Sequence, residues 1–567
     1  MAQALAHGPA RPLRRALGRD DRLARYALCG LALWLVLTVL LPLWALLSQA
    51  FQDRGGGFAG LANFRHYLET PTLATSIGNS LLVAVLSTAI CVTLAFLFAY
   101  GVTRTCMPAR GLFRVVAQVP ILAPSLLPAI SLVYLFGNQG LAKGVLMGWP
   151  VYGPIGIVIG SVFWTFPHAL LILITALSTA DARHYEAAQT LKASPWRVFW
   201  TVTLPGVRYG LVSAVFVVFV LVITDFGVPK VIGGSFNVLA TDIYKQVIGQ
   251  QNFQMGAVVG LVLLLPAALA FTVDRLVQRR QTALLSSRAV AYQPQPRRGL
   301  DLAFLAICGL IAACILVMIG VAFFASIATF WPYNLTPSLK NYDFDLMDGG
   351  GWASYWNSLE MAALTAVLGS AIVFVGAYLV EKVRGFETMR TAVHLLALLP
   401  LAVPGLVLGL GYIFFFNHPD NPLRFIYGSM AILVICTIAH FYSVAHLTAV
   451  TALKQIDPEF EAVSASLRVP VWRTFLRVTL PVCLPAVLDV AIYLFVNAMT
   501  TVSAVVFLYA PDTTLAAIAV LNMDDAGDVA PAAAMAMMIF MTSAVVRILY
   551  AGLTLGWLRR TQAWRRR

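Results

Sequence analysis

Two stretches of this chain are close copies: Glu186-Ala-Ala-Gln-Thr-Leu-Lys-Ala-Ser-Pro-Trp-Arg-Val-Phe-Trp-Thr-Val-Thr-Leu-Pro205 and Glu461-Ala-Val-Ser-Ala-Ser-Leu-Arg-Val-Pro-Val-Trp-Arg-Thr-Phe-Leu-Arg-Val-Thr-Leu-Pro481. Both contain Trp-Arg-x-Phe-x-x-Val-Thr-Leu-Pro, which recurs at an interval of 276 residues in a chain of 567. We call 186–205 the first repeat segment and 461–481 the second repeat segment. A repeat at half the chain length indicates one structural unit that is present twice.

The composition is typical of a polytopic membrane protein. Hydrophobic residues make up 60% of the chain, charged residues only 11%, and the mean hydropathy is +0.81. A soluble domain has about 25% charged residues. Apolar runs of roughly 20 residues cross a bilayer as helices. The sequence therefore predicts an all-α fold with about twelve spans, at 27–49, 78–101, 114–136, 154–178, 207–224, 255–273, 302–327, 357–380, 392–415, 428–450, 482–507 and 529–552.

The positions of the positive charges predict the orientation, because loops rich in Lys and Arg stay in the cytoplasm. With the N-terminus inside, only seven of the 39 Lys and Arg residues fall outside: Arg54, Arg65, Lys143, Lys230, Lys245, Lys340 and Arg424. Both termini are therefore predicted to be cytoplasmic. The net charge of +14 follows from this topology, with some attraction to anionic lipid, and does not indicate nucleic-acid binding.

The chain is predicted to consist of two halves with six spans each. The predicted parts are a basic N-terminus at 1–26, a first half at 27–273, a polar basic linker at 274–300, a second half at 301–552 and a basic tail at 553–567. Further matches, such as Asn79 with Asn357 and Pro124 with Pro404, keep nearly the same interval. An even number of spans per half makes the two copies run in the same direction, as a parallel repeat.

Each repeat segment lies between the fourth and fifth spans of its half, at the predicted cytoplasmic end. Glu186 to Leu191 is helix-forming sequence, and Ser194 with Pro195 is typical of the start of a second short helix. A helix pair with apolar and charged residues suits docking into a groove of a partner. The alternative is an ordinary amphipathic connector, which the duplication at matching positions disfavours.

At this point the sequence resembles the membrane subunits of binding-protein-dependent ABC importers, over nearly the whole chain and on their EAA loop. The matching residues of the first repeat segment are Glu186, Ala187, Ala188, Leu191, Phe199, Leu204 and Pro205. Those of the second are Leu467, Phe475, Leu480 and Pro481, with Glu461 and Ala462 displaced by one position. Both copies have a basic residue, Lys192 or Arg468, where the family usually has Gly.

The resemblance implies a type I importer permease in a bacterial inner membrane, with a pseudo-dimer formed by one chain. Two copies of an ABC ATPase would hold the repeat segments, and a periplasmic binding protein would dock on the outer loops. The chain has no Gly-x-x-x-x-Gly-Lys-[Ser/Thr] loop for nucleotide phosphates. We therefore expect ATP and Mg²⁺ on the ATPase, and neither a cofactor, a metal site nor an enzymatic activity in this chain.

Two further stretches narrow the resemblance. The chain resembles permeases for 2-aminoethylphosphonate and ferric iron in its double length and in these two stretches, Thr224-Asp-Phe-Gly-Val-Pro-Lys-Val-Ile-Gly-Gly234 and Tyr244-Lys-Gln-Val-Ile-Gly249. The phosphonate branch is the more similar, so 2-aminoethylphosphonate is the predicted substrate. Ferric iron is the first alternative, and polyamine or thiamine permeases follow. A secondary transporter has no use for duplicated docking segments, and no catalytic cluster supports a membrane enzyme.

Polar residues at matching positions of the halves are candidates for a path through the membrane. They are Asn79, Thr224, Asp225, Asn357, Asn497, Thr500 and Thr501. The alternative is hydrogen bonding between helices, which small polar residues supply in any bundle. The Pro-rich and Gly-rich stretches at 120–128 and 400–411 predict interruptions of the third spans, as a gate or as an ordinary bend.

Overall fold

The computed structural model describes residues 19–282, 292–383, 385–457 and 459–561. The first-half helices are Arg19–Ala50 with a π-helical turn at Val36–Leu40, Ala62–Glu69, Pro71–Arg104, Arg110–Gln118, Leu126–Phe136, Pro154–Ser178, Ala182–Thr190, Pro195–Val198, Leu204–Ile223, Gly227–Ile232, Leu239–Tyr244 and Phe253–Thr282. The second-half helices are Arg298–Ile327, Gly351–Glu381, Glu387–Leu398, Gly405–Phe416, Met430–Lys454, Glu459–Ser466, Val471–Thr474, Leu480–Thr500, Ala516–Ala526 and Val529–Thr561. A short antiparallel hairpin joins Ala328–Phe330 to Asn334–Pro337.

The all-α membrane fold is confirmed. Within the described ranges, ten helices are long and apolar enough to cross a membrane, and two bent helix pairs bring the number to twelve. Both bent pairs are the third spans of their halves. The predicted third spans at 114–136 and 392–415 are therefore present as bent helix pairs, and their predicted interruptions are confirmed.

The bends lie at equivalent prolines. Arg110–Leu122 and Leu126–Phe136 meet at 102°, and Glu387–Ala402 and Gly405–Phe416 meet at 112°. Pro disfavours helical geometry in the residue before it, and Ala123 and Val403, which precede Pro124 and Pro404, are both extended. The same local cause thus breaks the third span of each half.

Two predicted boundaries differ from the structure. The eleventh span was expected at 482–507, but the helix ends at Thr500 and the backbone is extended at Thr501. Apolar composition continues past this point, so hydropathy alone overextends the span. Helices also reach into both ends of the predicted linker at 274–300, since one ends at Thr282 and the next begins at Arg298. Only 292–297 of the linker's described part is non-helical.

The first helix of the described residues, Arg19–Ala50, packs on the second half. The rings of Trp34 and Tyr442 lie 5.4 Å apart between centroids. Gly411 allows a close approach, because a methyl group built there would lie 2.6 Å from the carbonyl oxygen of Pro42. The first helix is thus part of the opposite half's helix bundle.

The second half repeats this exchange in the other direction. Its first helix, Arg298–Ile327, packs on the first half, where Phe304 contacts Tyr100 at 5.1 Å between ring centroids. A methyl group built on Gly101 would lie 2.8 Å from the sulfur of Cys308. Each half therefore completes its core with a helix from the other half.

Candidate docking segments and solute path

The first repeat segment folds as two short helices joined by a turn. The first helix, Ala182–Thr190, begins where the Asp181 carboxylate accepts a hydrogen bond from the backbone N–H of Arg183 (3.1 Å). The second begins at Pro195, where the Ser194 hydroxyl accepts from the N–H of Arg197 (3.3 Å). The predicted helix start at Ser194 and Pro195 is confirmed.

The turn inside each repeat segment keeps the geometry that glycine favours. Lys192 and Arg468 have φ values of 51° and 54°. In both copies, the residue after the turn donates its N–H five positions back, from Ala193 to Ala188 (3.0 Å) and from Val469 to Ser464 (2.9 Å). A non-glycine residue in this region costs about 1–2 kcal/mol. The basic residues therefore occupy the expected turn under strain.

An aromatic residue anchors each repeat segment to a long helix. Phe199 contacts Phe96 and Tyr100 of helix Pro71–Arg104, with ring centroids 6.1 and 6.3 Å away. In the second half, Phe475 packs on the equivalent long helix, with its ring centroid 4.8 Å from that of Tyr378. The same anchor thus joins each repeat segment to the second span of its half.

A π-helical turn follows each anchor. Phe199–Thr203 and Phe475–Thr479 are both π-helical. The next helices begin with Leu-Pro, and the prolines Pro205 and Pro481 have no N–H to complete the regular helical ladder. The motif's Leu-Pro pair is thus part of the local geometry that joins each repeat segment to the fifth span.

Both repeat segments expose large apolar side chains at matching positions. Leu191 and Leu467 are 81% and 70% exposed, and Trp196 and Trp472 are 71% and 49% exposed. Trp200 of the first segment is also exposed. Clusters of exposed apolar residues mark interaction sites. The two repeat segments therefore present two similar apolar surfaces.

The remaining motif residues differ in exposure. Glu186, Ala187, Pro205, Ala462 and Pro481 are exposed, Leu204 and Leu480 are half-buried, and Ala188 is buried. Exposed positions of the motif can face a partner, whereas Ala188 packs inside the fold. In the Glu-Ala-Ala start of the first repeat segment, Glu186 and Ala187 therefore lie on the surface and Ala188 packs inside the fold.

The paired asparagines of the predicted path hold loop backbone in both halves. The Asn79 amide donates to the carbonyl oxygen of Asn237 (2.9 Å), and the Asn357 amide donates to those of Asp512 (2.9 Å) and Thr514 (3.1 Å). These bonds fix the loops that follow the fifth spans. The geometry matches the alternative of structural hydrogen bonding, and contact with a solute stays a prediction.

The other predicted path residues lie at the ends of the fifth spans. Thr224, Thr500 and Asn497 each donate a side-chain hydrogen bond to the backbone of their own helix. The buried Asp225 carboxylate accepts from the N–H groups of Gly227 (3.3 Å) and Val228 (3.2 Å), at the start of helix Gly227–Ile232. Thr501 is buried. All five mark the point where the fifth span ends in each half.

Contacts between the halves lie just beyond this point. The Lys230 ammonium is 2.9 Å from a carboxylate oxygen of Asp525 in the opposite half. Tyr244 and Phe507 stack across the same junction, with ring centroids 6.3 Å apart. The sequence analysis missed these contacts, although Lys230 stood out as a basic residue on the predicted outer side.

The comparison with known families agrees with the repeated architecture. A family model described as binding-protein-dependent transport system inner membrane component matches residues 92–283 and 372–554. The chain belongs to this family. Each half holds one match, so the permease contains the domain twice, as the two repeat segments predicted. It is a multi-pass inner-membrane permease of an ABC importer.

Three relatives illustrate how much of the permease is shared. A ferric transport system permease protein, FbpB 1 of Haemophilus influenzae, is 28% identical over 509 residues, 87% of this chain and 79% of the relative. FbpB of Actinobacillus pleuropneumoniae is 28% identical over 524 residues, 90% of this chain and 75% of the relative. PhnU of Salmonella choleraesuis, named for 2-aminoethylphosphonate transport, is 26% identical over 265 residues, 44% of this chain and 92% of the relative.

The two repeat segments of the permease differ at their acidic residue. Glu186 is exposed, but Glu461 is half-buried, and its carboxylate lies 3.0 Å from the ammonium of Lys382. At the 276-residue interval, Glu461 corresponds to Tyr185 and Ala462 to Glu186. The acidic residue of the second copy, Glu461, is displaced by one position. It is therefore part of an internal ion pair, whereas Glu186 is a surface carboxylate.

The first half has an aromatic clamp at the equivalent place. The buried Arg104 guanidinium lies 4.8 Å from the ring centroid of Tyr185 and 4.4 Å from that of Tyr292. Arg104 also donates to the carbonyl oxygen of Leu177 (2.7 Å). Since Tyr292 belongs to the predicted linker, the linker helps to hold the first repeat segment.

We expect Tyr292→Ala to weaken the function of the first repeat segment of the permease. The substitution removes one ring from Arg104, a contact worth about 1–2 kcal/mol when desolvated, so binding of the ATPase expected from the sequence should fall about 5- to 30-fold. Binding of the partner ATPase to purified permease measures this effect. Tyr292→Phe keeps the ring and should restore binding. Equal losses in both variants would contradict a clamp made by the ring.

Proposed function

We propose that this permease receives a small solute from a periplasmic binding protein and that two copies of a separate ABC ATPase drive its transport. The observation that supports this proposal is the pair of exposed apolar surfaces on the repeat segments, built the same way in both halves. A partner with two equal grooves would cover both. ATP and Mg²⁺ then belong to the ATPase, and this chain binds no cofactor.

The anchors suggest how the ATPase would act on the bundle. Closure of an ATPase dimer draws the repeat segments together, and Phe199 and Phe475 carry this movement to the second spans. The halves then move as rigid bodies between inward-open and outward-open states. In this scheme both termini and both repeat segments face the cytoplasm.

A path between the halves would pass the ends of the fifth spans. Thr224 and Asp225 are our candidates for its lining, together with Thr500 and Thr501 at the equivalent positions of the second half and with the nearby Asn497. The broken third spans lie in the same bundle, and their bends at Pro124 and Pro404 are candidates for a gate.

Ferric iron is the better supported substrate, because the ferric permeases match 87% and 90% of this chain. The predicted 2-aminoethylphosphonate has weaker support, since PhnU covers only 44% of it. One observation keeps 2-aminoethylphosphonate as a second candidate. Lys230 and Lys245 line a cavity of the first half, where an ammonium group attracts a phosphonate and repels a ferric ion.

Deletion of the repeat segments tests the ATPase proposal. We expect deletion of 186–205 to abolish co-purification with the ATPase and solute uptake. Deletion of 461–481 should have a smaller effect, because the second copy has turned its glutamate inward onto Lys382. Pull-down from membranes and uptake by cells measure the two effects. Uptake that persists without the ATPase would indicate a secondary transporter instead.

A further inference from the structure

A cavity of about 280 Å³ with a mixed apolar and polar lining opens beyond the end of helix Leu204–Ile223, on the side away from the repeat segments. Its polar lining consists of Lys230, Asn237, Thr241, Tyr244 and Lys245. The volume is small but sufficient for an ion or a small polar group. Two ammonium groups at one small cavity favour an anion as the occupant.

Lys230 connects the cavity to the contact between the halves. Its ammonium pairs with Asp525 (2.9 Å) and lies 5.1 Å from the ring centroid of Tyr244. Tyr244, which also lines the cavity, stacks on Phe507 of the second half. An occupant that contacts Lys230 would therefore act directly on the contact that joins the halves.

Lys245 carries a charge that its hydrogen-bond partner does not neutralise. Its ammonium donates to the side-chain oxygen of Asn237 (2.6 Å), a neutral acceptor, and the residue is exposed. The carboxylates that interact with the two lysines are those of Asp525 and its neighbour Asp524, both with Lys230, and that of Asp242, on which the Lys245 ammonium acts electrostatically. Asp242 is buried and does not line the cavity.

Topology and symmetry do not explain these two lysines. Basic residues are disfavoured on the outer side of a membrane protein, and Lys230 and Lys245 are two of the seven predicted there. At the 276-residue interval the second half has Val506 and Leu521. This pair of lysines thus belongs to the first half alone, although the folds of the halves repeat.

We propose that this cavity binds a small tetrahedral oxyanion, a phosphonate or phosphate group, between Lys230 and Lys245. The proposal rests on the importer function above and, within it, favours the phosphonate substrate over ferric iron. A bound oxyanion competes with the Asp525 carboxylate for Lys230. Its arrival therefore loosens the contact between the halves at the mouth of the path.

Thermal unfolding of the purified permease tests this site without the ATPase. The probes are methylphosphonate and inorganic phosphate, with chloride at equal ionic strength as the blank. We expect both oxyanions to raise the unfolding temperature, and Lys245→Ala to raise the concentration needed at least tenfold. Lys230→Ala should do the same, but it also breaks the pair with Asp525, so Lys245→Ala is the decisive variant.

Lys340→Ala is the matched control, because Lys340 is also an exposed lysine on the predicted outer side and lies outside the cavity. It should respond to the oxyanions as the unmodified protein does. Equal responses of Lys245→Ala and Lys340→Ala, stabilisation by Fe³⁺ alone, or a stronger response to short-chain phosphatidylglycerol than to methylphosphonate would each overturn the proposal. The ATPase pull-down is independent of these results, so failure of the oxyanion site and failure of the proposed function are distinguishable.

Discussion

Replacing Trp196 with glutamate should abolish stable association of this permease with its ATPase. Trp196 is 71% exposed on the first repeat segment, next to Trp200, and Leu191 of the same segment is also exposed. Tryptophans that are buried on binding act as hot spots worth about 2–4 kcal/mol, or roughly 30- to 1,000-fold in affinity. A glutamate in place of Trp196 would also bury a charge in the groove of the ATPase, which adds a desolvation penalty. Co-purification and ATPase activity in reconstituted membranes measure the loss.

Trp149→Glu is the control for this substitution. Trp149 is 70% exposed, almost the same as Trp196, but it lies in the loop before helix Pro154–Ser178, at the end of that helix away from the repeat segments. It should leave ATPase association unchanged. If both variants lose the ATPase, or if neither does, Trp196 is not a docking residue.

The second large effect concerns folding of the bundle. Gly411→Val should prevent the first helix, Arg19–Ala50, from packing on the second half. The new Cβ would lie 2.6 Å from the carbonyl oxygen of Pro42, which is backbone and cannot rotate away. Overpacking costs about 1–3 kcal/mol even where neighbours can adjust. We expect a several-fold lower yield of monodisperse protein and a lower unfolding temperature.

Gly309→Val separates this packing effect from the general cost of valine in a helix. Gly309 lies inside helix Arg298–Ile327, and a methyl group built on it meets nothing within 4 Å. Its yield and unfolding temperature should stay close to those of the unmodified permease. A Gly411→Val protein as stable as Gly309→Val would show that the contact with Pro42 is not required.

Local signals explain why much of the fold could be predicted from the sequence. Apolar runs identified the spans, the 276-residue interval identified the halves, and Ser194-Pro195 identified a helix start. The prolines at 124 and 404 also indicated the broken third spans. Each of these features depends on residues close together in the chain, so a pattern can reveal it.

Tertiary contacts explain what could not be predicted. The exchange of first helices depends on pairs such as Trp34 with Tyr442, which are hundreds of residues apart. The clamp on Arg104 and the junction contact of Lys230 with Asp525 likewise join distant parts of the chain. Symmetry paired Asn79 with Asn357, but only the geometry showed that both hold loop backbone, and their role in a solute path stays a prediction.

The exchange of first helices has a consequence for biosynthesis. Arg19–Ala50 is inserted early, yet its packing partners, Gly405–Phe416 and Met430–Lys454, are translated several hundred residues later. At about 5–20 residues per second, the first helix waits on the order of tens of seconds in the bilayer before its site exists. During that time it is exposed to lipid and to membrane proteases. If translation stops early, the helix is left without its packing partners. Synthesis of both halves as one polypeptide keeps this helix tethered to the bundle that it must eventually join.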